Sequence, residues 1–174
     1  MVGKMDFLQG VLHREAGADT SMPSLAEIGL NFFVPYLMNR IAATWNADLA
    51  AELRKFNLTT PQMRVLAVLS INSGLNINEL SVLTVTEQST MSRTLDNLET
   101  RGFVKRALRA NDMRVREVRL TPEGRNAFAE FWPIMFNHYE QMFRDIGEDE
   151  FTRFVATMQK VLRNIRLDNS DPSK

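Results

Sequence analysis

The chain of 174 residues contains no cysteine. That excludes a disulfide framework, a thiolate zinc site, an iron–sulfur cluster and a cysteine nucleophile. Its two histidines, His13 and His138, stand far apart, so neither a zinc sensor nor any other cofactor is expected. Eight glycines and six prolines are too few for a collagen-like or low-complexity chain. No run approaches the roughly 20 apolar residues of a membrane span. The short apolar run from Phe7 to Leu12, broken by Gln9 and Gly10, is too short and polar for a signal peptide. A cytoplasmic protein is therefore expected. A glycine-rich phosphate loop, a carboxylate pair at recognisable spacing and a nucleophile with an evident base are all missing, so the chain does not read as an enzyme. It also lacks an excess of either charge: 21 Lys and Arg balance 21 Asp and Glu. Taken alone, that zero argues against a nucleic-acid partner.

What is present is an ordinary globular composition, 44% hydrophobic and 24% charged, at a length that suits one domain. The zero net charge is a sum with structure inside it. From Arg101 to Arg119, seven arginines and lysines face only Asp112 and Glu117, a local balance of +5. From Asn126 to Thr152, six acids face Arg144 alone, a balance of −5. Local charge decides whether a phosphate backbone is attracted, although a charge run is often only a solvated face.

Helical periodicity opens the chain's organisation. Leu37, Ile41, Trp45, Leu49, Leu53 and Phe56 form one stripe of a long helix over about 25–56. Pro35 must kink that helix or separate a short entry turn from it. Thr60 with Pro61 reads as a cap and first helical residue, opening a helix that carries Met63, Leu66, Ala67, Ser70 and Ile71 and stops near Gly74. A short helix follows, capped by Asn76 or Asn78, and a third runs from near Thr86 to Gly102 with Met91, Leu95 and Leu98 on one side. Beyond Gly102 two β-leaning runs, 103–109 and 115–121, flank a turn at 110–114 marked by Asn111-Asp112. Thr121-Pro122 repeats the cap-and-proline signal and opens a helix to about Ile146, which Pro133 interrupts and should kink. Gly147 marks its end, and a last helix spans about 148–167.

Three helices and then a hairpin is the order of a winged helix-turn-helix. The fold class is therefore mainly α with a small β-hairpin wing. Opposite the apolar side of the third helix lie Thr86, Ser89, Thr90, Arg93, Asp96, Asn97 and Thr100. Such a small, hydrogen-bonding face suits base edges and phosphates, and it also suits any solvated helix. Asp96 would repel DNA unless a neighbour such as Arg93 pairs with it. The hairpin weights the reading towards double-stranded DNA, because Arg109, Arg114 and Arg116 supply cations where a wing meets the backbone or minor groove.

The run Leu58-Thr-Thr-Pro-Gln62, the run from Ser89 to Arg106, then Asp112-Met-Arg114 and Leu120-Thr-Pro-Glu-Gly124 together resemble the MarR family, the multiple-antibiotic-resistance-type regulators. The resemblance covers about residues 25–167. It implies a homodimeric transcriptional regulator, a repressor, whose winged domains bind two halves of a palindromic operator. Residues 24–57 and 122–167 would then form the dimerisation region and 58–121 the DNA-binding domain. Residues 1–23 would be an arm, poorly ordered or docked on a partner, and 168–174 a flexible tail. By position, Ser89, Thr90, Ser92 and Arg93 fall in the recognition helix, while Asp112 braces the wing and Arg114 enters the minor groove. The resemblance also implies release by a small aromatic or lipophilic effector. Phe33, Met38, Trp45 and Trp132 are the candidates for that pocket, against a plainer reading of them as core or dimer packing. Sensing by thiol oxidation is closed to a chain without cysteine. The remaining alternative is a winged-helix dimerisation or protein-interaction module that does not read DNA sequence.

Overall fold

The computed structural model describes residues 24–109 and 112–168. The expectations for the arm at 1–23 and for the tail beyond residue 168 lie outside the described residues. The described residues fall into two units, one ending at Ala43 and one beginning at Thr44. The elements in order are α1 (Leu25–Ile28), a 3-10 turn (Leu30–Phe32), α2 (Val34–Leu53), a second 3-10 turn (Arg54–Phe56), α3 (Thr60–Ile71), α4 (Ile77–Leu83), α5 (Gln88–Thr100), β1 (Val104–Arg109), β2 (Asp112–Leu120), α6 (Pro122–Met142) and α7 (Glu148–Asp168). This is the mainly helical fold with a two-stranded antiparallel hairpin that the sequence implies.

The stretch over 25–56 is divided, and of the two outcomes expected at Pro35 the structure has the second, short entry turns set apart from the long helix. Pro35 is the second residue of α2, where its fixed φ suits a helix start and its missing N–H is not needed. It therefore kinks nothing. In the first unit Leu25, Leu30, Phe32, Phe33, Val34 and Ile41 are exposed, and the Arg40 guanidinium lies 5.8 Å from the Tyr36 ring centre.

The core of the second unit gathers around α3, which touches α4, α5, α6 and β2. Val65, Leu66, Leu80, Met91, Leu95, Leu98 and Phe131 are fully buried there, together with Leu49 and Leu53 from the end of α2. Phe131 meets Phe56 edge-on, with ring centres 5.5 Å apart. The cap of α3 is Thr59 rather than Thr60. Its backbone is extended, its hydroxyl accepts from the Gln62 N–H at 3.4 Å, and the Gln62 side chain accepts from the Thr59 N–H at 2.8 Å. That reciprocal box needs a glutamine three residues on, which Thr59 has and Thr60 lacks. The same box, made by Asn76 and Glu79, opens α4.

The third helix starts at Gln88, two residues later than expected. Val85 holds a left-handed φ of 52°, and the Thr86 N–H is bonded to the Ser81 carbonyl, so both residues belong to the connection. In the hairpin, Asp112–Arg114 belong to β2 rather than to the turn expected at 110–114. The ladder runs regularly from Val104↔Leu120 to Leu108↔Arg116, then shifts so that Arg109 faces Asp112. Residues 110–111 lie outside the described residues. Near its base the hairpin is fastened to the loop after α3, where Val118 exchanges hydrogen bonds with Leu75 and Gly74. Finally, α6 ends at Met142 rather than near Ile146. Tight turns over Glu140–Ile146 replace its last helical turn, and Asp145, not Gly147, takes the left-handed conformation, at φ 66°.

Where β2 passes into α6, three elements meet at close quarters. Thr121 caps α6 by accepting from the Gly124 N–H at 3.0 Å, and its hydroxyl donates to the Gly102 carbonyl at 2.6 Å. A Cβ on Gly124 would stand 2.0 Å from the Phe103 carbonyl oxygen. Alanine favours a helix interior over glycine by about 1 kcal/mol, but this contact is with backbone and cannot swing aside. Gly124→Ala is therefore expected to destabilise the protein by about 2 kcal/mol. Thermal unfolding should show a fall in Tm of about 4–8 °C; an unchanged or higher Tm would mean that the Phe103 backbone yields.

Candidate nucleic-acid interface

The geometry of α5 follows from its buried side. Met91, Thr94, Leu95 and Leu98 are buried, which fixes the rotation of the helix about its axis. At 100° per residue the opposite side carries Ser89, Arg93, Asp96 and Thr100, all exposed. Thr90 and Asn97 lie on one flank, and Ser92 and Glu99 on the other. Ser92 is half-buried in a cavity of about 220 Å³ that Asp96, Arg106 and Arg116 also line. Thr86 is off the helix, half-buried in the preceding turn, with its hydroxyl donating to the Thr84 carbonyl at 3.2 Å.

Three side-chain ties hold α5 in place, and the sequence signalled none of them. On the Thr90–Asn97 flank, the buried Gln62 amide donates to the Asn97 side-chain oxygen at 2.6 Å. At the C-terminal end, Arg101 donates to the Asn57 carbonyl at 2.7 Å and lies 4.5 Å from the Phe103 ring centre. On the hairpin side, Arg106 meets Asp96 at 2.7 Å and Glu99 at 2.9 Å, and its own N–H donates to Glu99 at 3.0 Å. Asp96 is thus paired by Arg106 from β1, not by Arg93. Arg93 stays exposed, with no ion pair to a described residue. At the other end of the helix, Arg64 donates to the Thr84 carbonyl at 3.2 Å and Gln88 donates to Asn78 at 2.8 Å, bracing the turn into α5.

These contacts redistribute the +5 balance. Arg119 is paired with the buried Glu117 at 2.6 Å, and Arg106 with Asp96 and Glu99. Extending the count over 96–119 adds those two acids, so seven cations face four anions and the balance is +3. Arg116 is exposed beside α5, where it lines the cavity with Ser92 and Asp96, and Lys105 is exposed on β1. Arg109, Asp112 and Arg114 lie at the tip of the hairpin by strand position, and their side chains lie outside the described residues. The four pocket candidates divide between the units: Phe33 is exposed and Met38 half-buried in the first, while in the second Trp45 packs on the core and Trp132 is exposed between Phe128 and Phe136. Among the described residues no three His, Asp or Glu are placed to hold a metal ion, and no helix is long and apolar enough to cross a membrane.

A recognition-type helix with a polar outer face, beside a hairpin that carries cations, defines a winged helix-turn-helix protein. A family model described as MarR family matches residues 56–114. A transcriptional regulator of the MarR family from Silicibacter pomeroyi, known from a crystal structure, is 44% identical with a TM-score of 0.78, over 82% of this chain and 97% of that one. The HTH-type transcriptional repressor IacR of Pseudomonas putida is 24% identical over 143 residues, 82% of this chain and 86% of its own length. The crystal structure of the S. aureus MepR–DNA complex is similar in fold, with a TM-score of 0.69 at 23% identity, over 78% of this chain and 98% of that one. The chain belongs to the MarR family, and it is a transcriptional regulator, not an enzyme.

Gln62 serves two elements at once, the capping box of α3 and the tie to α5. Gln62→Ala is expected to cost about 1–2 kcal/mol through the lost cap and hydrogen bond, a fall in Tm of about 2–8 °C. Amide hydrogen exchange at the C-terminal turn of α5 should speed up; exchange as slow as in the parent would show that the Asn97 tie contributes nothing.

Proposed function

We propose that the protein is a homodimeric repressor whose α5 enters the major groove at each half of a palindromic operator while the hairpin reaches the adjacent minor groove. The observation that carries this is the fixed rotation of α5: its apolar side is wholly buried, so Ser89, Thr90 and Arg93 have no direction to face but outwards. In this reading those three contact base edges and phosphates, with Thr86, Ser92 and Asn97 contributing from the margins. Arg109, Arg114 and Arg116 engage the backbone or minor groove, and Asp112 braces the wing. Both recognition helices engage one face of the duplex only if they lie about one helical turn apart, ~34–36 Å.

Dimerisation through 24–57 and 122–167 is supported by apolar surface that this chain leaves uncovered. On α7, Phe154, Leu162 and Ile165 are 44%, 49% and 55% exposed. Along α6 the rings of Phe128, Trp132, Phe136 and Tyr139, and then Phe143 just past its end, follow one another at 5.1–6.0 Å and continue to Phe151 on α7. Continuous apolar surface of this kind marks an interface. Release by a small aromatic or lipophilic effector belongs to the same reading. A thermal-shift screen of aromatic acids tests it, and a flat response would leave a regulator with no small-molecule switch.

Two substitutions test the proposal. Arg114→Ala should weaken binding to every duplex sequence and reduce the slope of log affinity against log salt by about 1. Arg93→Ala should instead change the sequence recovered by selection from a random pool. Unchanged binding by Arg114→Ala at moderate salt would remove the wing from the interface. For the dimer, Leu162→Glu places a charge on the uncovered face of α7 and should give a monomer in sedimentation equilibrium. A parent chain that sediments as a monomer would defeat the assembly directly.

A further inference from the structure

The outward side of α5 contains a feature that opposes DNA binding. Asp96 sits among Ser89, Arg93 and Thr100, and its side chain is 61% exposed. Glu99 follows one turn later on the flank facing the hairpin. Two carboxylates on a helix that approaches phosphates repel them, and in a wide groove the repulsion is not removed by solvent alone. Both are met by one group. The Arg106 guanidinium, only 23% exposed, reaches Asp96 with one terminal nitrogen and Glu99 with the other, at 2.7 and 2.9 Å. The second oxygen of Glu99 accepts the Arg106 backbone N–H at 3.0 Å. One planar, permanently charged fork thus spans two carboxylates, a geometry that a lysine cannot reproduce.

We infer that Arg106 is a positioning residue for DNA recognition: it makes no base contact itself, but it neutralises Asp96 and Glu99 and sets the angle between α5 and the hairpin. Resting on the DNA-binding reading above, this assigns the wing's first strand a role separate from that of the tip arginines. Arg109 and Arg114 would add attraction at the tip, whereas Arg106 removes repulsion at the centre of the recognition surface. Its deletion then acts through the carboxylates it leaves behind, and its loss is repairable by removing them.

The test is a mutant cycle on the full chain. The probes are a duplex enriched from a random-sequence pool by the parent protein and an unselected random-sequence duplex. Arg106→Gln should weaken binding to the enriched duplex at least tenfold, and Arg106→Lys by a lesser amount. Adding Asp96→Asn and Glu99→Gln to Arg106→Gln should restore affinity to within about threefold of the parent. If Arg106 touched phosphate directly, the triple variant would stay as weak as Arg106→Gln, and the proposal would fall. It would fall equally if Arg106→Gln bound like the parent while Arg114→Ala did not. A parent protein that binds neither duplex would overturn the DNA-binding reading instead. The angle-setting clamp is judged without DNA by amide exchange at Arg106, expected to be faster in Glu99→Gln than in the parent and overturned by equal rates. Thermal unfolding of each variant identifies any that fails to fold, and Asp96→Asn alone, which keeps the Glu99 tie, then carries the comparison through its own expected gain in affinity; a loss would overturn the proposal.

Discussion

The structure depends on burying one side of a 13-residue helix. Alone, α5 would be marginal in water, since helices shorter than about 12–15 residues gain too little from propagation to offset nucleation. Met91, Leu95 and Leu98 are fully buried, and each such side chain contributes about 1.5–3 kcal/mol through the hydrophobic effect. Those contacts hold the helix and also choose its rotation. A turn of one residue about the axis would bring Ser92 or Arg93 into the apolar interior and expose leucine in its place. The identity of the outward face is thus decided by the residues on the buried one.

Electrostatics works on the surface that packing has defined. A total charge of zero is compatible with nucleic-acid binding because opposite charges occupy different elements, the cations on the hairpin and the acids on α6, α7 and the turn between them. Local sums are also incomplete until the partners are known. Arg106 counts as a free cation in a window along the chain, yet in space it belongs to Asp96 and Glu99. Arg119 likewise belongs to Glu117, whose buried carboxylate it meets at 2.6 Å. What the hairpin offers to a polyanion is the remainder, Lys105 and Arg116 among the described side chains.

What was legible in the sequence was whatever depends on near neighbours along the chain. Apolar spacing gave the buried side of α5, and Thr121-Pro122 and Asn76 gave the starts of α6 and α4, because caps and periodicity are local. Errors arose where two local signals competed. Thr59 and Thr60 both resemble caps before Pro61, and only the reciprocal bond with Gln62 separates them. Val85 takes a left-handed φ that a β-branched residue rarely adopts, so no local preference could delay the start of α5 to Gln88. Of the turn signal Asn111-Asp112, Asp112 is taken into β2 by pairing with Arg109, a contact made across the hairpin and not along the chain. The ties through Gln62, Arg101 and Arg106 were not legible: Gln62–Asn97 and Arg101–Asn57 span 35 and 44 residues. Arg106 and Asp96 are only ten apart, but they meet because the chain reverses at Gly102.

That reversal also joins recognition to the helices that follow. Gly102, at φ 73°, ends α5 and sends the chain into β1. The carbonyls of Gly102 and Phe103 then face Thr121, whose hydroxyl and N–H both bond to this segment while its side-chain oxygen caps α6. Gly124 packs so closely on the Phe103 carbonyl that the first turn of α6 has no slack against the start of the wing. The end of α5, the base of the hairpin and the beginning of α6 are therefore tied to one another. Phe131, two turns further along α6, is buried against the same core, so α6 cannot tilt at its N-terminal half without disturbing the packing that orients α5. Only beyond Phe131 do its aromatic rings become exposed. The helix is thus a rigid member of the winged domain at one end and an apolar surface at the other. Between its buried and exposed parts stands Pro133, which lacks an N–H to donate, so the helix is missing one hydrogen bond just where its aromatic rings turn to the surface.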